Sequence, residues 1–166
     1  LQRALAARAA PPAFELYLIG GRLDEGYASA VDGFLAGSPE LAGRVRPVEP
    51  MPNADLLHLF RRSDLLISAS RFESFGMAVW EALSMGLPVL ALSRGNLPNL
   101  IEDGINGLLF NSLESLSEKL LELAEQPQQR RRLRASALRH RPDPAGAAAE
   151  AAIESLEAAL RQYDKS

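Results

Sequence analysis

The sequence predicts an α/β domain built on a mainly parallel sheet. Three observations point there. Short apolar runs alternate with stretches of helical periodicity along most of the chain. Glycine and proline punctuate the joints, as at Gly20-Gly21 and Gly86-Leu87-Pro88. The composition is that of an ordinary globular domain with a core, at 166 residues, 47% hydrophobic and 23% charged.

Residues 1–10 read as a helix ended by Pro11-Pro12. Residues 14–19 read as a buried strand that breaks at Gly20-Gly21, where a ligand can approach the backbone. Residues 27–36 read as a helix with Gly33 as its weak point, and 45–48 as a short strand. Pro47, Pro50 and Pro52 limit that strand's hydrogen bonding and shape the next loop. Asn53 is expected to cap a helix running to Arg62, with Leu56, Leu57, Leu59 and Phe60 as its apolar face. A strand at 65–68 leads to a helix at 75–85, closed by Gly86 with Pro88 beyond. A strand at 88–92, a short helix at 97–102 and a strand at 107–110 follow. Ser112 opens a helix with a capping arrangement in Ser112-Leu113-Glu114-Ser115. Beyond Pro127 the reading is helical: a basic helix at 128–140, a break at Pro142 and Pro144, and an alanine-rich helix at 145–163.

Charge and composition narrow the function classes. A formal net charge of -3 and a pI near 5.5 argue against nucleic acid as the main partner. There is no cysteine, and His58 and His140 are the only histidines, so disulfides and Cys- or His-rich metal sites are excluded. The most apolar stretch, 76–92, contains Glu81, Ser84 and Pro88 and is shorter than the ~20 residues of a membrane span. Residues 1–10 carry Arg3 and Arg8 without a separate apolar core, so they are not read as a signal peptide. A cytoplasmic protein is expected. The chain opens on Leu1 rather than Met, and a longer parent protein is expected.

The informative stretch is Ser70-Arg71-Phe72-Glu73-Ser74-Phe75-Gly76-Met77-Ala78-Val79-Trp80-Glu81. A strand ends near Ser70, a polar loop follows, and a helix begins near Phe75 to Met77. The first turn of a helix has free N–H groups and a partial positive charge, which suits a phosphate or diphosphate. In open α/β sheets ligands bind beyond the carboxyl ends of the strands, where this loop lies. Glu73 and Glu81 frame it, and a carboxylate can accept from two sugar hydroxyls at once. With Glu73 before the helix and Glu81 two turns inside, the acids do not share a helical face.

Here a family resemblance becomes specific. Glu73, seven intervening residues and Glu81 resemble the E-x7-E motif of the retaining GT-B glycosyltransferases of family 4, also called group 1. Residues 14–21 resemble the family's strand and glycine loop, and 45–69 the strand, helix and strand leading into the motif. Residues 87–93 and Gly95-Asn96-Leu97-Pro98 resemble its G-L-P-V strand and G-G-x-P-E turn. Asp103-Gly104-Ile105-Asn106-Gly107-Leu108-Leu109 resembles its D-G-x-N-G-L-L closing strand.

The resemblance implies a Rossmann-like three-layer fold with a parallel sheet, the C-terminal half of a GT-B enzyme. Residues 1–144 would form the nucleotide-sugar-binding domain and 145–166 a C-terminal helix packing towards an N-terminal acceptor domain. Glu73 is the implied catalytic residue, contacting hydroxyls of the transferred sugar. Ser74, Phe75, Gly76 and Met77 belong to the donor loop, the last three presenting backbone N–H groups to diphosphate and sugar. Glu81 would bind the ribose hydroxyls, and Gly20 and Gly21 would lie near the donor. No cofactor is implied beyond the nucleotide diphosphate sugar as donor substrate, and no metal is required.

The chain departs from the family in three ways. The strand carrying a Gly-Arg pair and a Lys-Gly pair, with its basic diphosphate contacts, would precede Leu1. In the family's sheet order that strand is central, and without it two rows of backbone groups lack partners. A longer protein or a second chain is therefore expected to supply it. Arg94 and Asn96 stand where small glycines are usual, and Asn99 where Glu is usual, so the donor sugar stays open.

Other readings stand beside these. Glu73 and Glu81 could be solvated surface acids, and Gly20-Gly21 a plain turn. Phe72, Phe75 and Trp80 could be core, Trp80 with Val79 and Leu83 on one packed face. His58 packs or faces water, and His140 complements a helix C-terminus. The arginine run at 130–141 is read as a solvated face, with contact to anionic membrane lipid in the full-length protein as the alternative. Among functions, the alternative is a non-catalytic nucleotide-sugar-binding module serving a partner chain. A hydrolase with paired carboxylates fits less well, because a retaining glycosidase holds its acids about 5 Å apart. A GT-B epimerase is disfavoured by the motif, and a dinucleotide oxidoreductase by the lack of G-x-G-x-x-G after the first strand.

Overall fold

A computed structural model describes residues 1–9, 11–21 and 24–142. They divide into two compact units, one of Leu1–Leu59 with Asn111–Arg130, the other of Phe60–Phe110 with the chain from Arg131. The expected helix at 145–163 lies outside the described residues.

In the first unit, α1 (Gln2–Ala6), β1 (Leu16–Ile19), α2 (Glu25–Ala36), β2 (Val45–Val48) and α6 (Leu113–Glu125) surround a small core. Leu5, Leu41 and Leu121 are buried there, with Phe14, Leu35 and Val45 packed against them. β1 and β2 pair in parallel, Leu16 with Val45 through Ile19 with Val48. The Asp24 carboxylate accepts the Tyr27 N–H at 2.8 Å and so starts α2 two residues before the expected boundary. Ser112 and Ser115 form the expected capping box of α6.

The first apolar run is not the buried strand its composition suggests. Tyr17, Leu18 and Ile19 are 38%, 40% and 37% exposed. A continuous apolar run is buried when strands flank it and helices cover both faces. Among the described residues β1 has one strand neighbour, β2.

In the second unit, β3 (Leu66–Ser68), β4 (Val89–Leu92) and β5 (Gly107–Phe110) form a parallel sheet in the order β3-β4-β5. Register runs from Leu66 opposite Val89 and Val89 opposite Gly107. Val89, Leu90 and Ala91 are fully buried in the middle strand, which has a strand on each side and helices packed against it. α4 (Met77–Ser84) packs on β3 and β4, and α5 (Leu97–Leu100) on β4. The other helices among the described residues are α3 (Asn53–Arg62) and α7 (Pro127–Arg139).

Two sequence expectations are corrected in these helices. Asn53 is the first residue of α3 rather than its cap, and the Pro52 carbonyl accepts the N–H groups of Asp55 and Leu56. A proline before the first turn places its carbonyl there without needing an N–H of its own. The arginine run is only partly a solvated face. Arg134 Nη1 donates to the Ser63 carbonyl at 2.5 Å and Nη2 to that of Arg61 at 3.4 Å. Arg130 donates to the Leu123 and Ala124 carbonyls at the end of α6. Both satisfy carbonyls that a helix end leaves over, while Arg131, Arg132 and Arg139 are exposed. No helix among the described residues is long and apolar enough to cross a membrane.

Candidate functional site

The loop after β3 enters α4 through a change of backbone hand. Gly76 has φ 67 and ψ 41, the left-handed region that a side chain resists. A Cβ there would also lie 2.7 Å from Leu100 Cδ1. Gly76 is the N-cap, so α4 starts at Met77, two residues later than the periodicity suggests. As glycine it offers no side chain to the first-turn N–H groups of α4. Its own N–H donates to Glu73 Oε1 at 2.8 Å, and its carbonyl accepts from the Trp80 N–H at 2.7 Å. The Glu73 carboxylate is thus held at the positive end of α4.

Burial on α4 follows helical spacing. Val79, Ala82 and Leu83 are buried and form the inward face. Met77 and Glu81, four residues apart, share the opposite face. Glu81 is half-buried and Met77 is 63% exposed. Trp80 is half-buried beside the packed face. Phe72 and Phe75 are 93% and 53% exposed, so neither is a core residue. Ser74 is exposed, and the Ser70 hydroxyl donates to the Phe72 carbonyl at 3.0 Å.

A second loop meets the first. The turn between β4 and α5 brings the Asn96 N–H to the Glu73 carbonyl at 3.0 Å. Both loops leave the carboxyl ends of adjacent parallel strands, where α/β sheets bind ligands. The second unit therefore assembles Glu73, Ser74, Phe75, Gly76, Met77 and Glu81 on one loop and helix, with Gly95 and Asn96 against them. Gly20 and Gly21 belong to the first unit, where Gly20 N–H donates to the Val48 carbonyl at 3.3 Å. A Cβ on Gly20 would meet nothing within 4 Å. His58 and His140 are both exposed, and His140 Nδ1 lies 2.9 Å from the Ser136 carbonyl in the last turn of α7. Among the described residues no three His, Cys, Asp or Glu side chains converge as a metal site.

Sequence reasoning missed the contact of Gly95 and Asn96 with Glu73. Their signal was only a Gly-Asn pair after a strand, read as resembling the G-G-x-P-E turn with Asn96 as a departure from it.

The fold is an α/β domain with an acid-flanked helix N-terminus beyond the strand ends, a place that suits a nucleotide or another anion. The family profile of the group 1 glycosyl transferases matches residues 12–140. The chain belongs to that family, and its fold is the Rossmann-like C-terminal half of a GT-B glycosyltransferase. It is similar to the D-inositol 3-phosphate glycosyltransferase of Thermobifida fusca, at 31% identity over 147 residues, 87% of this chain and 33% of the relative. It is 38% identical over 112 residues to the enzyme of the same name from Mycobacterium tuberculosis, 66% of this chain and 23% of that one. The chain thus spans a third or less of the length of these curated relatives. Anabaena HepE, solved in complex with UDP-glucose, superposes with a TM-score of 0.74 at 25% identity, over 95% of this chain and 44% of that one.

Proposed function

We propose that the chain is the donor-binding half of a retaining family 4 glycosyltransferase, which transfers a sugar from a nucleotide diphosphate sugar to an acceptor hydroxyl. The carrying observation is the Glu73 carboxylate fixed on the Gly76 N–H at the left-handed entry to α4. That HepE was solved with UDP-glucose supports a nucleotide sugar as the ligand of this site.

In this reading Glu73 accepts hydrogen bonds from hydroxyls of the transferred sugar. The backbone N–H groups of Phe75 and Met77 and the dipole of α4 face the diphosphate and sugar, while the Gly76 N–H, expected from the resemblance to do the same, is taken by Glu73 Oε1; Glu81 accepts from the ribose hydroxyls. In the reaction the bond from the anomeric carbon to the diphosphate oxygen breaks and one to the acceptor oxygen forms. The acceptor hydroxyl loses its proton to an oxygen of the departing diphosphate. Negative charge grows on the departing diphosphate, and fixed N–H dipoles stabilise it without reorganising. No metal is required, because the dipole and basic side chains carry that task.

The acceptor site belongs to a separate N-terminal domain that closes over the donor and excludes water. The second reading, a non-catalytic module completed by a partner chain, draws on the same observation.

Calorimetric titration of the intact protein with UDP, GDP, UDP-glucose and GDP-mannose tests the site. One nucleotide set should bind, and Glu81→Ala should weaken that binding. Glu73→Ala should reduce turnover more than donor affinity. A folded intact protein that binds none of the four refutes the donor site. Binding without turnover of any acceptor favours the module.

A further inference from the structure

We infer that the turn carrying Gly95 and Asn96 is a positioning device for Glu73, and that glycine at 95 sets where the Glu73 carboxylate can meet the sugar. The inference rests on the donor-site reading and deepens it.

Glu73 is held at both ends. Its carboxylate accepts the Gly76 N–H at 2.8 Å. Its carbonyl accepts the Asn96 N–H at 3.0 Å. Gly95 lies directly on its main chain. A Cβ at Gly95 would sit 2.7 Å from the Glu73 carbonyl oxygen, 3.1 Å from its nitrogen and 3.5 Å from its carbonyl carbon. All three are backbone atoms of one residue, and backbone cannot swing aside as the end of a flexible side chain can. Gly95 also has φ 58, so a side chain there is strained before any contact is counted. The Asn96 side chain does not contribute, since its Oδ1 accepts from Asn99 Nδ2 at 3.0 Å.

A methyl group at position 95 therefore pushes the Glu73 main chain while Gly76 holds the carboxylate. The carboxylate must then leave either its N–H partner or its place. Recognition of sugar hydroxyls tolerates about 0.5 Å of error, and a misplacement of about 1 Å can cost ~100-fold in rate. The nucleoside diphosphate, held by the helix N-terminus and Glu81 in the proposed reading, does not depend on the Glu73 carboxylate.

Gly104 supplies the control. It has φ 81, and a Cβ there would meet nothing within 4 Å. Gly104→Ala thus carries left-handed strain without touching Glu73. Three quantities are measured in the intact protein: affinity for the nucleoside diphosphate, kcat and KM for its nucleotide sugar, and hydrogen exchange of the Gly76 amide without ligand. Gly95→Ala should lose at least ~10-fold in kcat, keep nucleoside diphosphate affinity within about 2-fold, and expose the Gly76 amide to faster exchange. Gly104→Ala should match the wild type in all three. Should Gly95→Ala fail to fold, Asn96→Pro removes the N–H that holds the Glu73 carbonyl and so loosens the same main chain by another route; it should give the same split, and Asn96 has φ -82, within reach of proline. Unchanged turnover and exchange in Gly95→Ala, or an equal loss in Gly104→Ala, overturns the inference. If the wild type binds no nucleotide sugar while Gly95→Ala still frees the Gly76 amide, the donor-site reading has failed and the positioning of Glu73 stands.

Discussion

Replacing Glu73 with alanine should destabilise the protein, although Glu73 is the proposed catalytic residue. The usual expectation runs the other way, because residues placed for function are commonly held at a cost in stability. Here the carboxylate also serves the fold. It accepts the N–H of Gly76, the residue before α4, at 2.8 Å, and Gly76 has no side chain to cap that helix itself. Loss of an N-terminal cap costs about 1 kcal/mol, with a range of about 0.5–2. A negative charge at a helix N-terminus adds about 0.3–1 kcal/mol. Together these give a loss of about 1.5 kcal/mol for Glu73→Ala. Glu73→Gln keeps an oxygen for the N–H and loses only the charge, so about 0.5 kcal/mol is expected. In a protein of this size each kcal/mol moves Tm by about 2–4 °C, so Tm of the alanine variant should fall by roughly 3–6 °C. Urea unfolding is the assay, with an unchanged m-value showing that the midpoint shift is a change in stability. A Glu73→Ala protein as stable as the wild type, or more stable, refutes the capping role.

Three further predictions follow from other contacts. Asn106 is buried; its Oδ1 accepts the Glu102 N–H at 2.8 Å and its Nδ2 donates to the Leu100 carbonyl at 3.2 Å. Asn106→Ala leaves two backbone groups without these partners and should cost about 2–3 kcal/mol in urea unfolding. Arg134→Met removes its hydrogen bonds to the Ser63 and Arg61 carbonyls and should cost about 1–2 kcal/mol, whereas Arg131→Met at an exposed position should change stability by less than about 0.5. The Glu114 carboxyl is held below the usual carboxylate range by a hydrogen bond from its own backbone and one from the Ser112 side chain. Its stabilisation is therefore full above the ordinary carboxylate pKa and lost as pH falls through the lowered folded value. The urea midpoints of wild type and Glu114→Gln should converge as pH drops from about 5 to about 3.

The elements most legible in the sequence were those whose signals are local. β2 and β5 match the expected residues, because turn-forming residues on either side fix both ends. The Ser112 cap was readable for the same reason. Boundaries slipped where a backbone group rather than a side chain decides the end. Pro52 starts α3 through its carbonyl, and left-handed Gly76 keeps Phe75 out of α4. The exposure of β1 was not legible, since burial of an apolar strand depends on what lies beside it. The two acids were legible through spacing and family resemblance. The hold on Glu73 from Gly95 and Asn96 was not, because it joins main-chain atoms of two loops that only the sheet brings together.

The family-like segments divide by what the fold asks of them. The closing segment is architecture. Asp103 Oδ1 accepts the Leu109 N–H at 2.7 Å, and Asn106 ties the end of α5 to the turn before β5. The Asp103 and Asn106 side chains thus have partners within the unit, so both residues are explained without a ligand. The segment from Phe72 to Glu81 is different. Phe72, Phe75 and Met77 are 93%, 53% and 63% exposed around a half-buried acid at a helix N-terminus. Burial of such side chains would contribute about 1.5–3 kcal/mol each, and the unit leaves that unused. Polar residues would serve an isolated loop equally well at these positions. Apolar side chains beside an acid and a helix dipole instead suit a site that loses its water when a ligand and a second surface close over it, where each charge interaction strengthens.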